Sequence, residues 1–162
     1  MKYLKKIVNK FNSRNVNLFG CSISQIEEIE YMSGGELPVC YKEFLNVMGI
    51  RIEEDKSKPD YYDYGSFVGN AVFYEDLFDS KEALQELLDE DESELEIPNT
   101  AFVFYDSQGI LYAFFKLDEG DNPPVYGYAE GYEGETFPII SENLSQFYED
   151  YLDGKRIFNM LY

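Results

Sequence analysis

Residues 26–49 read IEEIEYMSGGELPVCYKEFLNVMG, and two helices with the break between them are legible in this stretch alone. In its second half, Tyr41, Phe44, Leu45 and Met48 recur at i, i+3, i+4 and i+7, which puts four large apolar side chains on one helix face. Pro38 suits the first turn of that helix, where a missing N–H has no intrahelical partner to lose, and Gly49 supplies a stop. The first half predicts a helix from Ser24, with Glu27 three residues on completing a capping box. Ile23, Ile26 and Ile29 follow its inner face, and Gly34-Gly35 end it.

Working outward, Tyr3, Leu4, Ile7, Val8 and Phe11 predict a short amphipathic helix over 2–12, with lysines on its other face. A strand is expected at 66–74, then a helix over 80–90 capped by Ser80 with Leu84, Leu87 and Leu88 inward. Residues 101–105 and 110–117 are aromatic β-type runs joined by Asp106-Ser107-Gln108-Gly109, a hairpin signal. Pro123-Pro124 opens a further strand at 124–129, at a strand start or sheet edge. A last helix is expected from Ser141 as N-cap to Gly154, with Leu144, Phe147, Tyr148, Tyr151 and Leu152 facing the core. Helices at both ends of a strand meander predict an α+β fold: a mixed, mostly antiparallel sheet flanked by N- and C-terminal helices.

The ordered set resembles the SUKH superfamily, which includes yeast cell-wall assembly regulators and many bacterial immunity proteins. The acidic helix, Leu37-Pro38, Tyr41, Phe44-Leu45 and Gly49 are similar to its opening motif. Ile97-Pro98 before the strand Phe102–Tyr105, the turn and strand Gly109–Leu117, Pro123-Pro124-Val125-Tyr126, and a closing helix with Phe147 and Leu152 follow in the family's order. The resemblance covers residues 22–153. It departs from the family at the strand after the hairpin, where Tyr126 and Tyr128 stand and no Trp is found, and at Pro59-Asp60-Tyr61-Tyr62-Asp63-Tyr64-Gly65, which matches no general motif. What it implies is one SUKH-like domain over 1–162, with a basic helix and loop at 1–20, the family-like core at 22–153 and a tail at 155–162. For bacterial members it also implies the binding and neutralising of a polymorphic toxin, often a nuclease.

Composition narrows the chemistry independently. With 44% apolar and 17% aromatic residues the 162-residue chain is far too rich in core formers to be disordered. There is no histidine, so Ser-His-Asp and Cys-His machinery and His-ligated zinc are excluded. Thirteen basic against 32 acidic residues leave a net charge of −19, which disfavours nucleic acids and anionic membranes as partners. Lysines near the start and Leu18-Phe19-Gly20-Cys21 imitate a lipoprotein signal, but Asn9, Lys10, Asn12, Ser13, Arg14, Asn15 and Asn17 leave no apolar region between them. Cys21 and Cys40 read as reduced thiols, and the expected compartment is the cytoplasm.

The charge is unevenly spread. Residues 1–26 carry five bases and no acid, while residues 82–154 carry 19 acids and one base, Lys116. Any one acidic cluster reads most simply as a solvated face; together they suit a surface that steers a basic partner. Asp89, Asp91 and Ser93 imitate the start of a calcium loop, but Glu94 stands where glycine is required and Thr100 where the bidentate carboxylate belongs. No metal or cofactor is expected, nor any phosphate loop. The basic N-terminal helix is expected to pack on the domain with its lysines toward the acidic surface. Its other reading, a membrane anchor, is opposed by the charge of the domain it would carry.

The expectation is therefore a non-catalytic protein that binds a basic toxin domain through an acidic, tyrosine-containing surface, itself a monomer or weak dimer. The alternative is an intracellular regulatory or scaffolding module. The expected contact residues are Asp60, Tyr61, Tyr62, Asp63 and Tyr64, whose rings and carboxylates interleave, with Asp118, Glu119, Asp121, Glu130 and Glu133 in two acidic turns.

Overall fold

Aromatic residues of one helix meet aromatic residues of the sheet, and this contact organises the molecule. The computed structural model describes residues 1–54, 57 and 74–161. The stretch Asp60–Tyr64 and the strand expected at 66–74 lie outside the described residues, apart from Tyr74, which opens a helix. In chain order the elements are α1 (Lys5–Ser13), β1 (Asn17–Phe19), α2 (Ile23–Ser33), α3 (Val39–Met48), β2 (Arg51–Glu53), α4 (Tyr74–Glu90), β3 (Ala101–Ser107), β4 (Leu111–Lys116), β5 (Val125–Ala129), β6 (Ile139–Ser141), α5 (Leu144–Leu152) and a 3₁₀ turn (Asn159–Leu161).

Strands β3-β4-β5-β6 form one antiparallel sheet in sequence order, and β1 pairs with β2 in a small second sheet. All pairings among the described residues are antiparallel. The main sheet is buried on both faces, as its strand alternation requires. Phe102, Phe104, Ala113 and Phe115 face α1, α2, α3 and α5, while Val103, Tyr112, Phe114 and Tyr128 face Leu84, Leu87 and Leu88 of α4. Tyr41 of α3 sits fully buried between Phe102 and Phe115, with ring centroids 5.2 Å from each, and Phe44 stacks on Tyr148 of α5 at 4.5 Å. Pairs of this kind add about 0.5–1.5 kcal/mol each beyond the area they bury.

Three expected boundaries move. Helix α2 is capped by Ser22, whose hydroxyl accepts from the Gln25 N–H while the Gln25 side chain accepts from the Ser22 N–H, so the capping box lies two residues before Ser24. Cys21 N–H donates to the Leu45 carbonyl at 2.7 Å, which fixes the chain just ahead of that cap. Helix α4 starts at Tyr74, and Ser80 is buried inside it rather than capping it. Helix α5 is capped by Asn143, which accepts from the Gln146 N–H at 2.9 Å, while Ser141 ends β6.

The basic N-terminal helix packs on the rest of the chain. Leu4, Ile7 and Phe11 are core residues, and Lys6, Lys10 and Arg14 pair with Glu149, Asp153 and Glu54. Leu4, at its N-cap, brings no side-chain cap. Glu43 of α3 supplies one instead: its carboxylate accepts the N–H groups of Lys2, Tyr3 and Leu4, placing negative charge where the helix dipole favours it.

Candidate functional site

The acidic turns at 118–121 and 130–135 stand at the two ends of β5, since that strand spans 125–129. Five residues of strand separate them by about 17 Å. At the first turn most of the charge is already matched. Glu119 accepts from Lys116 at 3.1 Å and from the Tyr126 hydroxyl at 2.9 Å, and the Lys116 ammonium lies 4.3 Å from the Tyr126 ring centre. Its hydrogen bond to the Tyr126 hydroxyl and, against the cost of burial, the hydrogen bond and charge of Glu119 hold the Lys116 ammonium above its ordinary range. Asp121 pairs with Lys2 at 3.5 Å, and its carbonyl accepts the Cys40 N–H. Asp118 and Asp121 are both exposed, and of the two Asp118 meets no cation among the described residues.

At the opposite end the structure brings together two acidic segments that are 40 residues apart in sequence. Residues 91–95 and 131–135 face each other across a cleft of about 560 Å³ whose rim carries Asp91, Glu92, Glu94, Glu133 and Glu135. Asp91 joins the two sides: one carboxylate oxygen accepts from the Tyr128 hydroxyl at 2.7 Å and from the Gly131 N–H at 2.8 Å. Burial first, and then the hydrogen bond and charge of Asp91, push the Tyr128 hydroxyl up to about 12, so it remains a donor. Among the described residues no ion pair reaches Glu92, Glu94, Glu133 or Glu135. Glu130 is exposed just outside the cleft, its N–H held by the Ile110 carbonyl at 2.9 Å.

Helix α4 ends into this cleft in an unusual way. Glu92 takes φ = 52° in the turn closed by Asp91 N–H to Leu87, Glu92 N–H to Asp89 and Ser93 N–H to Leu88. A left-handed residue past a helix end is ordinarily glycine, because a side chain there costs about 1–2 kcal/mol. Here a glutamate occupies it, and that residue lines the cleft.

Glu133 is thus the expected residue that the cleft contains, with Glu130 beside it. Asp91, Glu92, Glu94 and Glu135 belong to acidic runs that the sequence displays, but nothing in it signals that 89–96 and 130–135 meet. Cys21 and Cys40 are both free and buried, and burial raises both thiols, which keeps them protonated. Among the described residues no group of three or more acids and thiols is placed to hold a metal ion, and no helix is long and apolar enough to cross a membrane.

Helices on both faces of an antiparallel meander, entered through the α2–α3 pair, define an α+β domain of SUKH type. The chain belongs to the SMI1 / KNR4 family (SUKH-1), whose family model matches residues 20–150. The match begins just before α2 and leaves α1 outside it. No curated protein matches the chain.

Proposed function

We propose that this protein is a non-catalytic immunity protein that occupies the basic active-site cleft of a cognate toxin domain, a nuclease being the class whose positive phosphate-binding surface fits best. The observation that carries the reading is the cleft between 91–95 and 131–135, where two separate segments converge their carboxylates with no cation of the chain's own among the described residues to match them. Carboxylates held in this way take the places of substrate phosphates and draw the partner in at long range. The strained Glu92 supports it, since backbone strain that folding does not require collects at binding sites. Membership in the SUKH-1 family supports it independently. The proposed contact set is Glu92, Glu94, Glu130, Glu133 and Glu135, together with the acid- and tyrosine-bearing stretch Asp60–Tyr64. Asp118 lies at the far end of β5, Glu119 is bonded to Lys116 and Tyr126, and Asp121 meets Lys2 in an exposed pair, so we place that turn at the periphery of the contact.

The test is co-expression with a candidate cognate toxin domain of the nuclease class. Wild-type chain restores growth of the host cells, and E92Q/E94Q/E133Q/E135Q fails to. Rescue by that variant as efficient as by wild type would refute the cleft as the contact, and absence of rescue by wild type would refute the immunity reading.

A further inference from the structure

The outward side of α2 leaves three large apolar side chains in the open: Ile23 at 72% exposure, Tyr31 at 87% and Met32 at 46%. They belong to one pattern. The pairs Ile23-Ser24, Glu27-Glu28 and Tyr31-Met32 recur every four residues, so they lie one above another on the helix surface. The result is a stripe with apolar groups at both ends and two carboxylates in the middle. The inner face already buries Ile26 and Ile29, so packing of the core does not call for the outer set. A single exposed hydrophobe is ordinary, but an exposed tyrosine inside an ordered stripe is the composition of an interface anchor.

Two depressions adjoin this end of α2, one lined by Tyr31 and the other by Met32. One, of about 560 Å³, is lined by Glu27, Glu30, Gly34, Gly35 and Glu36. Its acids already attract an ammonium, since Lys42 reaches Glu30 at 3.0 Å and Glu36 at 3.2 Å. Glu27 and Glu28 meet no cation among the described residues. The other depression, of about 180 Å³, is walled by Met32 with Leu77, Phe78 and Phe102 and by Lys81, whose ammonium is turned onto the carbonyls of Pro98, Asn99 and Ala101.

We propose that this face docks a basic, amphipathic segment of a protein partner. A Lys or Arg of that segment enters between Glu27 and Glu36 against the Tyr31 ring, and its apolar neighbours lie on Ile23 and Met32. Charge complementarity selects this occupant. A second copy of a chain with net charge −19 would bring carboxylates onto carboxylates, whereas a cation gains from the acids and from the aromatic face together. The surface is separate from the acidic cleft: Gly35 packs on Leu117, at the end of the sheet opposite Gly131. The proposal therefore stands whether or not the cleft binds a toxin.

The experiment is an NMR titration of the full chain with a short helical peptide of leucine and lysine carrying its leucines on one face, beside a scrambled peptide of the same composition. The proposal predicts amide shifts centred on residues 23–36, stronger binding of the amphipathic peptide, and about tenfold weaker binding for Y31A and for E27Q, with E133Q/E135Q unchanged. Four results would overturn it: shifts centred on 91–95 and 131–135, equal binding of the scrambled peptide, wild-type affinity in both α2 variants, or self-association of the free protein through the same residues.

Discussion

Replacing Asp91 with alanine removes the joint between the two sides of the acidic cleft, and its cost follows from the geometry. One carboxylate oxygen accepts two hydrogen bonds, from the Tyr128 hydroxyl at 2.7 Å and the Gly131 N–H at 2.8 Å. A hydrogen bond to a charged acceptor is worth about 1.5–3 kcal/mol, and the lower end applies here because Gly131 is at the surface and water can replace part of what is lost. Tyr128 is a buried residue, so its hydroxyl is replaced less easily. The sum is about 3 kcal/mol, which for a chain of this length lowers Tm by roughly 6–12 °C. Equilibrium urea unfolding and thermal melts measure it directly. Tyr128→Phe removes one of the two bonds and should cost about 1–1.5 kcal/mol. The double variant should fall short of the sum of the singles by about 1 kcal/mol, because both changes delete the same contact. Hydrogen exchange across 131–135 should accelerate in Asp91→Ala. A loss below about 0.5 kcal/mol, with exchange in that loop unchanged, would refute the role assigned to Asp91.

Three further outcomes are expected. Glu92→Gly relieves the left-handed strain and should raise stability by about 1 kcal/mol in the same unfolding assay while weakening capture of a basic partner, a trade that a purely structural turn would not show. Gly20→Ala should prevent folding or cost more than about 3 kcal/mol, since a Cβ there would lie 1.8 Å from the Asn46 carbonyl oxygen, whereas Gly120→Ala, at φ = 87° with open space around it, should cost only about 1–2 kcal/mol by the same measurement. Acid should free the N-terminus. Burial acts to raise the Glu43 carboxyl, but the N–H groups of Lys2, Tyr3 and Leu4 and the terminal ammonium outweigh it and hold it below its ordinary 4.5. A depressed carboxyl stabilises fully above its ordinary value and loses that contribution as pH falls through the folded one. Amide protection of residues 2–4 should therefore persist through the ordinary carboxyl range, be lost as the pH falls below it, and be reduced at neutral pH in Glu43→Gln; protection independent of pH and of that substitution would contradict the assignment.

The helix pair in residues 26–49 was readable because four apolar residues at helical spacing leave one face to bury, and the structure buries it against Phe102, Phe104 and Phe115. The aromatic hairpin and the proline-led strand were readable for a similar local reason. Caps were harder, because Ser22 with Gln25 and Ser24 with Glu27 are equivalent in sequence, and the neighbouring Cys21–Leu45 hydrogen bond is tertiary. Strands β1, β2 and β6, each of three residues, are too short to establish an alternation. Ser80 has the chemistry of a cap, yet α4 runs on to Tyr74 and buries Leu77 in the core. The charge asymmetry was plain, but the pairing of 91–95 with 131–135 depends on where the end of α4 meets the end of β5, and no local signal carries that information. The strand between the turns at 118–121 and 130–135 was itself legible from Pro123-Pro124, and it spaces the two turns by its own length.

The central claim is that carboxylates of the cleft, rather than net charge alone, capture the partner. It is tested most directly by stopped-flow association of the purified chain with the toxin domain it protects against in the co-expression test, across a salt series, for wild type and E92Q/E94Q/E133Q/E135Q. For wild type the rate should fall at least about tenfold as added salt shortens the Debye length from about 10 Å to about 3 Å, and the variant should associate slowly with most of that dependence gone. A wild-type rate indifferent to salt, or a variant that keeps both the wild-type rate and its salt dependence, would contradict the claim.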